Sequence, residues 1–451
     1  MRYSICRECE FEIMEECLRS NDSIYLYNKN LMYYKYIRCH LPYHRNGGLI
    51  KVYLEDYVQD SEGGFRLLLD FFSIVDYVQY INFFDERNEL DDNDIVAFSR
   101  STFFQISNYK TDDELEKGAH YRLDLKALRE RRVSSEHGKD IDGFPLLYDI
   151  TLSQENQTDF STPLLYRTEP LIYPQWVFSN LHSPITLPEI TFGASLELCV
   201  RNVGQGNFNE IILNGNPYII FDAGTEVLNI GMVPFHSLRN LLQAELDRID
   251  LPLFVLSHWH ADHYSLLFAQ NEQTLKKLKY CIFPSYVKNL SVFNFIMKLK
   301  SLGVIVNMTT LPAVKKWNKH VLSGDGRIIL YANKLVKSNT NNSGLTLFVQ
   351  GSSNNVMMPG DCYYRIAESQ ANDAIKNPMN NGIHYLVIPH HCGHAGKVSY
   401  KIANACNIEG IVSVGHNNYG HPNPMVQGEI NQFVNPLEMT SLLKRDIIKE
   451  L

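Results

Sequence analysis

Leu256-Ser257-His258-Trp259-His260-Ala261-Asp262-His263-Tyr264 is the stretch on which the reading of this 451-residue chain turns. Three imidazoles and a carboxylate fall between His258 and His263, directly after the apolar run 252–256. Polar groups this dense are costly to bury without partners, and imidazole nitrogen with carboxylate oxygen is the donor set that zinc, manganese or iron accepts. A solvated His-rich turn needs no strand in front of it. The pattern therefore predicts a strand ending at Ser257 that carries a metal-binding loop to the carboxyl edge of a sheet, where α/β folds place their chemistry. His258 and His260 then reach one ion, while Asp262 and His263 turn to a second about 3.5–4 Å away.

Four further segments hold residues of the same kind. Residues 218–221 read as a buried strand running into Asp222-Ala223-Gly224-Thr225, and the apolar run 356–358 ends in Pro359-Gly360-Asp361. The strand 385–388 leads to Pro389-His390-His391-Cys392-Gly393-His394, and the strand 410–414 to Gly415-His416-Asn417-Asn418-Tyr419-Gly420-His421-Pro422. Taken alone, a Gly-Asp after a strand is more often a turn than a ligand. Its place in the series reverses that preference.

The HxHxDH cluster resembles the signature of the metallo-β-lactamase-fold hydrolases. Val203-Gly204-Gln205-Gly206, Asn341-Asn342-Ser343, Pro-His-His and Tyr-Gly-His-Pro narrow the resemblance to the ComEC-like branch, which includes the soluble hydrolase domain of DNA-uptake channels; it spans about residues 193–435. The resemblance implies a four-layer αββα sandwich in which Asp222 buttresses the metal loop, Asp361 bridges two ions, and a histidine after the penultimate core strand completes the second site. His391 is favoured for that role with His390 facing substrate, although adjacent side chains point oppositely and the pair stays open. Two departures stand out: Asn207 occupies a position where the family usually has Asp, and Asn341, Asn342 and Ser343 stand where many members have a third histidine. His258, His260, Asp361 and solvent then hold a weaker first ion, with Asn342 or Ser343 binding substrate or water. His320, the one histidine between His263 and Asp361, reads as surface.

Such a site implies two divalent ions, zinc or manganese, and a metal-bridged hydroxide available at physiological pH. Asp262, His390 and His421 are the catalytic candidates, the last two as donors to a phosphoryl or leaving oxygen. Tyr419 either stacks on a base or fills the wall. The leading chemistry is phosphodiester hydrolysis by a nuclease or related phosphodiesterase, and the branch implies DNA as substrate. One alternative is hydrolysis of a small phosphoester, a nucleotide signal or a carboxyl derivative. Another is a partner-binding effector subunit of a bacterial defence system with conditional activity. The formal net charge of -8 supplies no global field for a polyanion, so nucleic acid would need local patches such as Lys276, Lys277 and Lys279, extended by Lys298, Lys300, Lys315 and Lys316.

The whole chain reads as globular, α+β or α/β, in two domains: an accessory domain over 1–190 and the hydrolase over 191–451. No apolar stretch reaches membrane-spanning length, since the closest, 67–84, is interrupted by Asp70, Asp76 and Gln79. The start is no signal peptide, and nine cysteines without framework spacing point to a reducing, cytoplasmic setting. Cys6 and Cys9 form a lone CxxC, and Cys362 and Cys392 beside the presumed ligands read as small buried hydrophobes. Residues 1–190 are expected to be mixed α and β, with strands at 23–27 and 48–54, a helix over 65–84, an aromatic run 33–43 and a boundary near 184–192. A docking role toward a protein partner is the sharper reading of that domain. In the hydrolase domain a strand is expected at 196–200 and helices over 266–278 and 425–433, the latter with Val426, Ile430 and Phe433 inward.

Overall fold

The chain divides into two units, Met1–Asn180 with Val287–Leu302, and Leu181–Tyr286 with Gly303–Leu451. The first unit is thus visited twice, which a single cut at 190 does not describe. In this computed structural model the described residues are 48–60, 62–84, 101–138, 140–153, 163–173, 178, 181, 185, 187, 194–228, 234–248, 253–376, 382–398, 408–417 and 419–451. The expected strand 23–27, the aromatic run 33–43 and the Cys6/Cys9 pair lie outside them.

The first unit is a mixed seven-stranded sheet in the order β5-β8-β3-β2-β1-β4-β9. Its strands are β1 (Leu49–Gln59), β2 (Phe65–Phe71), β3 (Phe103–Tyr109), β4 (His120–Asp124), β5 (Arg132–His137), β8 (Tyr148–Leu152) and β9 (Leu165–Arg167), with a small hairpin of β6 (Asp140–Ile141) and β7 (Phe144–Pro145). Helices α1 (Ile74–Phe84) and α2 (Leu125–Arg131) accompany it. The expected helix over 65–84 is wrong in its first half. Phe65–Phe71 is a strand paired on both sides, by β1 and β3, and such a strand is apolar on both faces and shows no period. The helix starts only where Ser73 caps it: its hydroxyl accepts the Asp76 N–H at 3.3 Å and donates to the Asp76 carboxylate at 2.7 Å.

The second unit holds two seven-stranded sheets. One has the order β15-β14-β13-β12-β11-β10-β23. It is built from β10 (Leu196–Val200), β11 (Phe208–Leu213), β12 (Asn216–Ala223), β13 (Leu253–Val255), β14 (Tyr280–Pro284), β15 (Ile305–Thr309) and β23 (Ile447–Glu450). Helix α3 (Phe235–Asp247) precedes β13, and α4 (Ala261–Phe268) and the short α5 (Glu272–Leu275) follow it. Between β14 and β15 runs α6 (Leu290–Ser301), part of the segment that belongs to the first unit. From β12 to β15 the pairing is parallel, so consecutive carboxyl ends open on one edge.

The other sheet has the order β16-β17-β18-β19-β20-β21-β22. Its strands are β16 (Trp317–Val321), β17 (Ile328–Asn333), β18 (Leu345–Gln350), β19 (Asn355–Met358), β20 (Tyr385–Val387), β21 (Ile408–Val412) and β22 (Val434–Met439). Here too the pairing is parallel from β19 to β22. Helix α7 (Tyr364–Ala374) places Tyr364, Ala367, Ala371 and Ala374 in the core, and α8 (Pro424–Ile430) adds Val426 and Ile430. These positions keep one helical face apolar. The short α9 (Thr440–Leu443) follows β22.

Two helix expectations are corrected. The run 266–278 is α4, beginning already at Ala261, and then α5; Asn271 caps α5 by accepting the Thr274 N–H at 2.9 Å. Helix α8 is shorter than 425–433: Pro424 starts it under an Asn423 cap, and Phe433, 37% exposed, lies beyond its end. His320 lies on the exposed strand β16 at the edge of its sheet, as surface.

Candidate metal centre

Residues at the carboxyl ends of β12, β13, β19, β20 and β21 meet in one place. The main-chain carbonyl of Ser257 accepts the Leu345 N–H at 2.7 Å, and the Ser413 hydroxyl donates to the Gly206 carbonyl at 2.7 Å, so both sheets contribute to the same site.

Asp222 is its base. It is fully buried in the left-handed region, φ 62°, and its Oδ1 accepts the Ser257 N–H at 2.6 Å. Its Oδ2 accepts the Ser257 hydroxyl at 2.7 Å and the His263 Nδ1–H at 2.8 Å. With its proton committed to Asp222, the Ser257 hydroxyl receives the Nδ1–H of His258 at 3.0 Å. Both rings are thereby anchored through Nδ1, with Nε2 facing inward. His391 reaches the same state by another route, donating Nδ1–H to the Ser413 carbonyl at 2.7 Å. That bond decides between the two adjacent histidines: His391 is buried and points in, while His390 is partly exposed.

The inward atoms converge. His263 Nε2 lies 3.3 Å from Asp361 Oδ1, His258 Nε2 lies 3.9 Å from Asp361 Oδ2, and His391 Nε2 is 3.5 Å from Asp262 Oδ2 and 3.9 Å from Asp361 Oδ1. Two buried groups could each hold a metal ion: His258, His263 and Asp361, and Asp262, His263 and His391. The two groups share His263, whose single inward nitrogen, Nε2, can serve one ion at a time. His260 stands next to them, its Nδ1 3.2 Å from His258 Nε2.

Three of these atoms, His263 Nε2, His391 Nε2 and Asp361 Oδ1, are buried without a hydrogen-bond partner. Polar atoms left without partners in this way are expensive in a folded core, and a cation is the partner their chemistry fits. The electrostatics agree. Burial works against charge on His263, yet the carboxylates of Asp361 and Asp222 hold it well above the ordinary imidazole range. Burial would raise Asp361, but His263 and His391 hold it well below the usual carboxylate range. The centre is a negative field seeking positive charge.

The main chain is shaped for this site. His390, His391 and Cys392 run through the left-handed region at φ 54°, 50° and 63°, a conformation that costs about 1–2 kcal/mol per residue and clusters at functional sites. Gly224 and Gly206 let strand ends touch helix α4: a Cβ on Gly224 would fall 2.4 Å from the Asp262 carbonyl carbon, and one on Gly206 2.9 Å from the Asp262 oxygen. Asn207 donates its backbone N–H to that Asp262 oxygen at 2.9 Å, and its Nδ2 lies 3.4 Å from His263 Nδ1.

His421 and His390 form the rim, ring centroids 4.9 Å apart, both beside Gly393. Gln205 Nε2 donates to His421 Nδ1 at 3.4 Å, leaving the proton of that ring on Nε2. Burial, then His390 and His391, push His421 down to about 3. Tyr419 is half-buried, 6.0 Å from the His421 ring. No protein-family model and no curated protein matches this chain. Its chemistry is therefore read from the site itself.

Asn342 and Ser343 are placed differently from expectation. Asn342 Oδ1 accepts the Tyr363 N–H at 2.8 Å, and the Ser343 hydroxyl bonds within its own loop to Val336 and Asn339. Both polar groups are committed to holding the loop. The unmet hydrogen-bonding capacity lies one step earlier, at Thr340 Oγ1 and Asn341 Oδ1. Cys362 and Cys392 are buried and free, and burial pushes both thiols up to about 12, so they serve as packing. In the lysine run, Lys277 is paired with Asp247, while Lys276 and Lys279 are exposed. Nothing in the spacing marks Ser257 or Ser413 for these roles, because short polar side chains recur freely, and Gln205 stands out only as part of Val203-Gly204-Gln205-Gly206.

Proposed function

We propose that the second unit is a metal-dependent hydrolase of the metallo-β-lactamase fold, acting on phosphodiester bonds. The observation that carries this reading is the pair of buried ligand groups sharing His263, with partnerless nitrogen and oxygen atoms turned inward. Two seven-stranded sheets, with α3 and α4 in contact with β12 and α7 and α8 buried in the core of the other sheet, support a four-layer αββα arrangement.

Two divalent ions, zinc or manganese, would supply a water of lowered pKa and positive charge to meet phosphoryl oxygens when bound to these groups. The chain's own residues do the rest. Asp222, Ser257 and Ser413 fix the ligand rings, removing a reorganisation cost from each turnover. Asp262, opposite His391, is placed to accept the proton of the attacking water, and the Nε2–H of His421 to stabilise charge on a leaving oxygen. His390, beside His421, positions the substrate. The formal charge of -8 favours a compact phosphoester over long duplex DNA, since no global field gathers a polyanion.

Protein purified without chelator is expected to contain zinc or manganese and to cleave bis(p-nitrophenyl) phosphate. Asp262→Ala and His258→Ala should each lower that rate by at least ~100-fold. Full cleavage by both variants would sink the proposal, as would a wild-type protein inert with every divalent metal on both this substrate and single-stranded DNA.

A further inference from the structure

Four consecutive residues of β5, Arg132 to Ser135, line a cavity of about 290 Å³ in the first unit. A regular strand turns successive side chains to opposite faces, so such a run points to an irregularity. The pairing shows it: Arg132 stands opposite Leu152 and Ser134 opposite Thr151, two steps on β5 against one on β8. Val133 is thus the extra residue of a β-bulge, a device that re-aims neighbouring side chains.

The remaining lining is mostly aromatic, with Tyr80 and Phe84 from α1 and Tyr148 from β8. The ring of Tyr80, a residue only 1% exposed, lies 4.7 Å from that of Phe84 and 5.2 Å from that of Tyr148, and it also packs on Phe71 at 5.4 Å. Rings braced in this way do not collapse into the space beside them. Among the described residues that line the cavity, Arg132 alone is charged. Its main chain is fixed, since its N–H closes α2 on the Leu128 carbonyl, and its guanidinium lies 4.7 Å over the Phe84 ring. The ring attracts the charge but offers no oxygen to the fork of N–H donors, and among the described residues no carboxylate pairs with it. Ser134 and Ser135, both exposed, add hydroxyls on the same strand.

We propose that this cavity binds a flat aromatic carboxylate of one or two fused rings, its ring against Phe84 and Tyr148 and its carboxylate on the Arg132 guanidinium. One guanidinium balances one negative charge: a carboxylate satisfies it through two hydrogen bonds, while the second charge of a phosphate monoester would find no partner. Size points the same way, because the volume stands at the lower end of the roughly 300–1,000 Å³ of small-molecule sites. Among the described lining residues there is no carboxylate, imidazole or thiol to hold a metal ion. None of them belongs to the metal centre, so the cavity is a second site whatever that centre cleaves.

The test is equilibrium binding of 2-naphthoate and of 2-naphthamide, the same ring without the charge, to the full chain. The acid should bind with a Kd of about 1 mM or below, and at least about tenfold more tightly than the amide. Arg132→Gln should weaken the acid about tenfold or more while its amide affinity stays within about twofold of wild type, which also shows that the walls survive the change. Phe84→Leu, which keeps apolar bulk but removes a π face, should weaken acid and amide together by about threefold or more. Wild-type affinity of Arg132→Gln for the acid overturns the site, since the carboxylate is then held elsewhere, the metal centre included. A parallel loss of acid and amide in Arg132→Gln also overturns it, as does a wild-type protein that binds neither ligand saturably or shows no preference for the acid.

Discussion

Asp222 shows how much of the centre depends on a residue that touches no inward atom. Its two oxygens take three hydrogen bonds, from the Ser257 N–H, the Ser257 hydroxyl and the His263 ring. Asn in its place keeps the shape but turns an N–H toward a donor, so at least one of the three bonds must break. Asp222→Asn is expected to weaken metal binding about 10–100-fold and to cost about 1–3 kcal/mol of stability. Competition against a chromophoric chelator reads the first effect and urea unfolding the second; wild-type affinity would show that His263 orients without Asp222. That His258, His263, Asp361 and His391 come together was legible in the sequence, because imidazole and carboxylate have few other uses at such density. Which of His390 and His391 points inward was not, because the deciding bond goes to the Ser413 carbonyl, 22 residues away. Asn342 and Ser343 illustrate the same limit. Their type suited substrate, but the folded loop had already used their hydrogen bonds.

At the scale of elements, apolar runs ending in polar motifs located strands β12, β13, β19, β20 and β21 to within a few residues. That worked because parallel strands buried on both faces leave an uninterrupted apolar signature. It failed at 65–84, where a strand of that kind adjoins a helix without a change in composition. The start of helix α4 at Ala261 is not legible in the sequence, because it depends on a contact and not on a cap: His260 offers no side-chain cap bond. The contact is glycine against main chain. A Cβ on Gly224 would meet His263 N and the Asp262 carbonyl carbon, both at 2.4 Å, and backbone cannot rotate away. Gly224→Ala should therefore push β12 and α4 apart, with more than about 1–3 kcal/mol lost and the metal affinity with it. Gly428 in α8 is the control, with nothing within 4 Å of a Cβ there. Gly428→Ala should gain about 0.5–1 kcal/mol. Thermal unfolding of the two variants side by side checks the pair, and equal tolerance would mean that the approach of β12 to α4 is not obligatory.

At the scale of the whole molecule, the sequence concealed that Val287–Leu302 belongs with the first unit. Helix α6 is buried nearly all round, so its pattern says "core" without saying whose. The clue is a pair of exceptions. Asp70 on the apolar strand β2 and Ser291 on α6 are both buried, and the Ser291 N–H donates to Asp70 Oδ2 at 2.8 Å across 221 residues of sequence. Thr102 completes the group, its hydroxyl 2.6 Å from Asp70 Oδ1 and 2.8 Å from the Ser291 hydroxyl. Burial raises the Asp70 carboxyl to about 7 against the opposing pull of these donors. A folded-state value above the unfolded one means that the unfolded chain gives up its proton first as pH rises. The stability carried by the neutral acid is thus complete below about pH 4 and is lost as pH climbs through 7, to a limit of about 4 kcal/mol. Asn is the neutral mimic: its oxygen can accept the Ser291 N–H while its N–H donates to Thr102, whose hydroxyl turns to Ser291. Asp70→Asn should match wild type near pH 4 and exceed it increasingly toward pH 8, as read from urea unfolding at a series of pH values. Parallel stability curves for the two proteins across pH 4–8 would show that Asp70 stays charged in the fold, and that the returning segment is held by an ionised carboxylate.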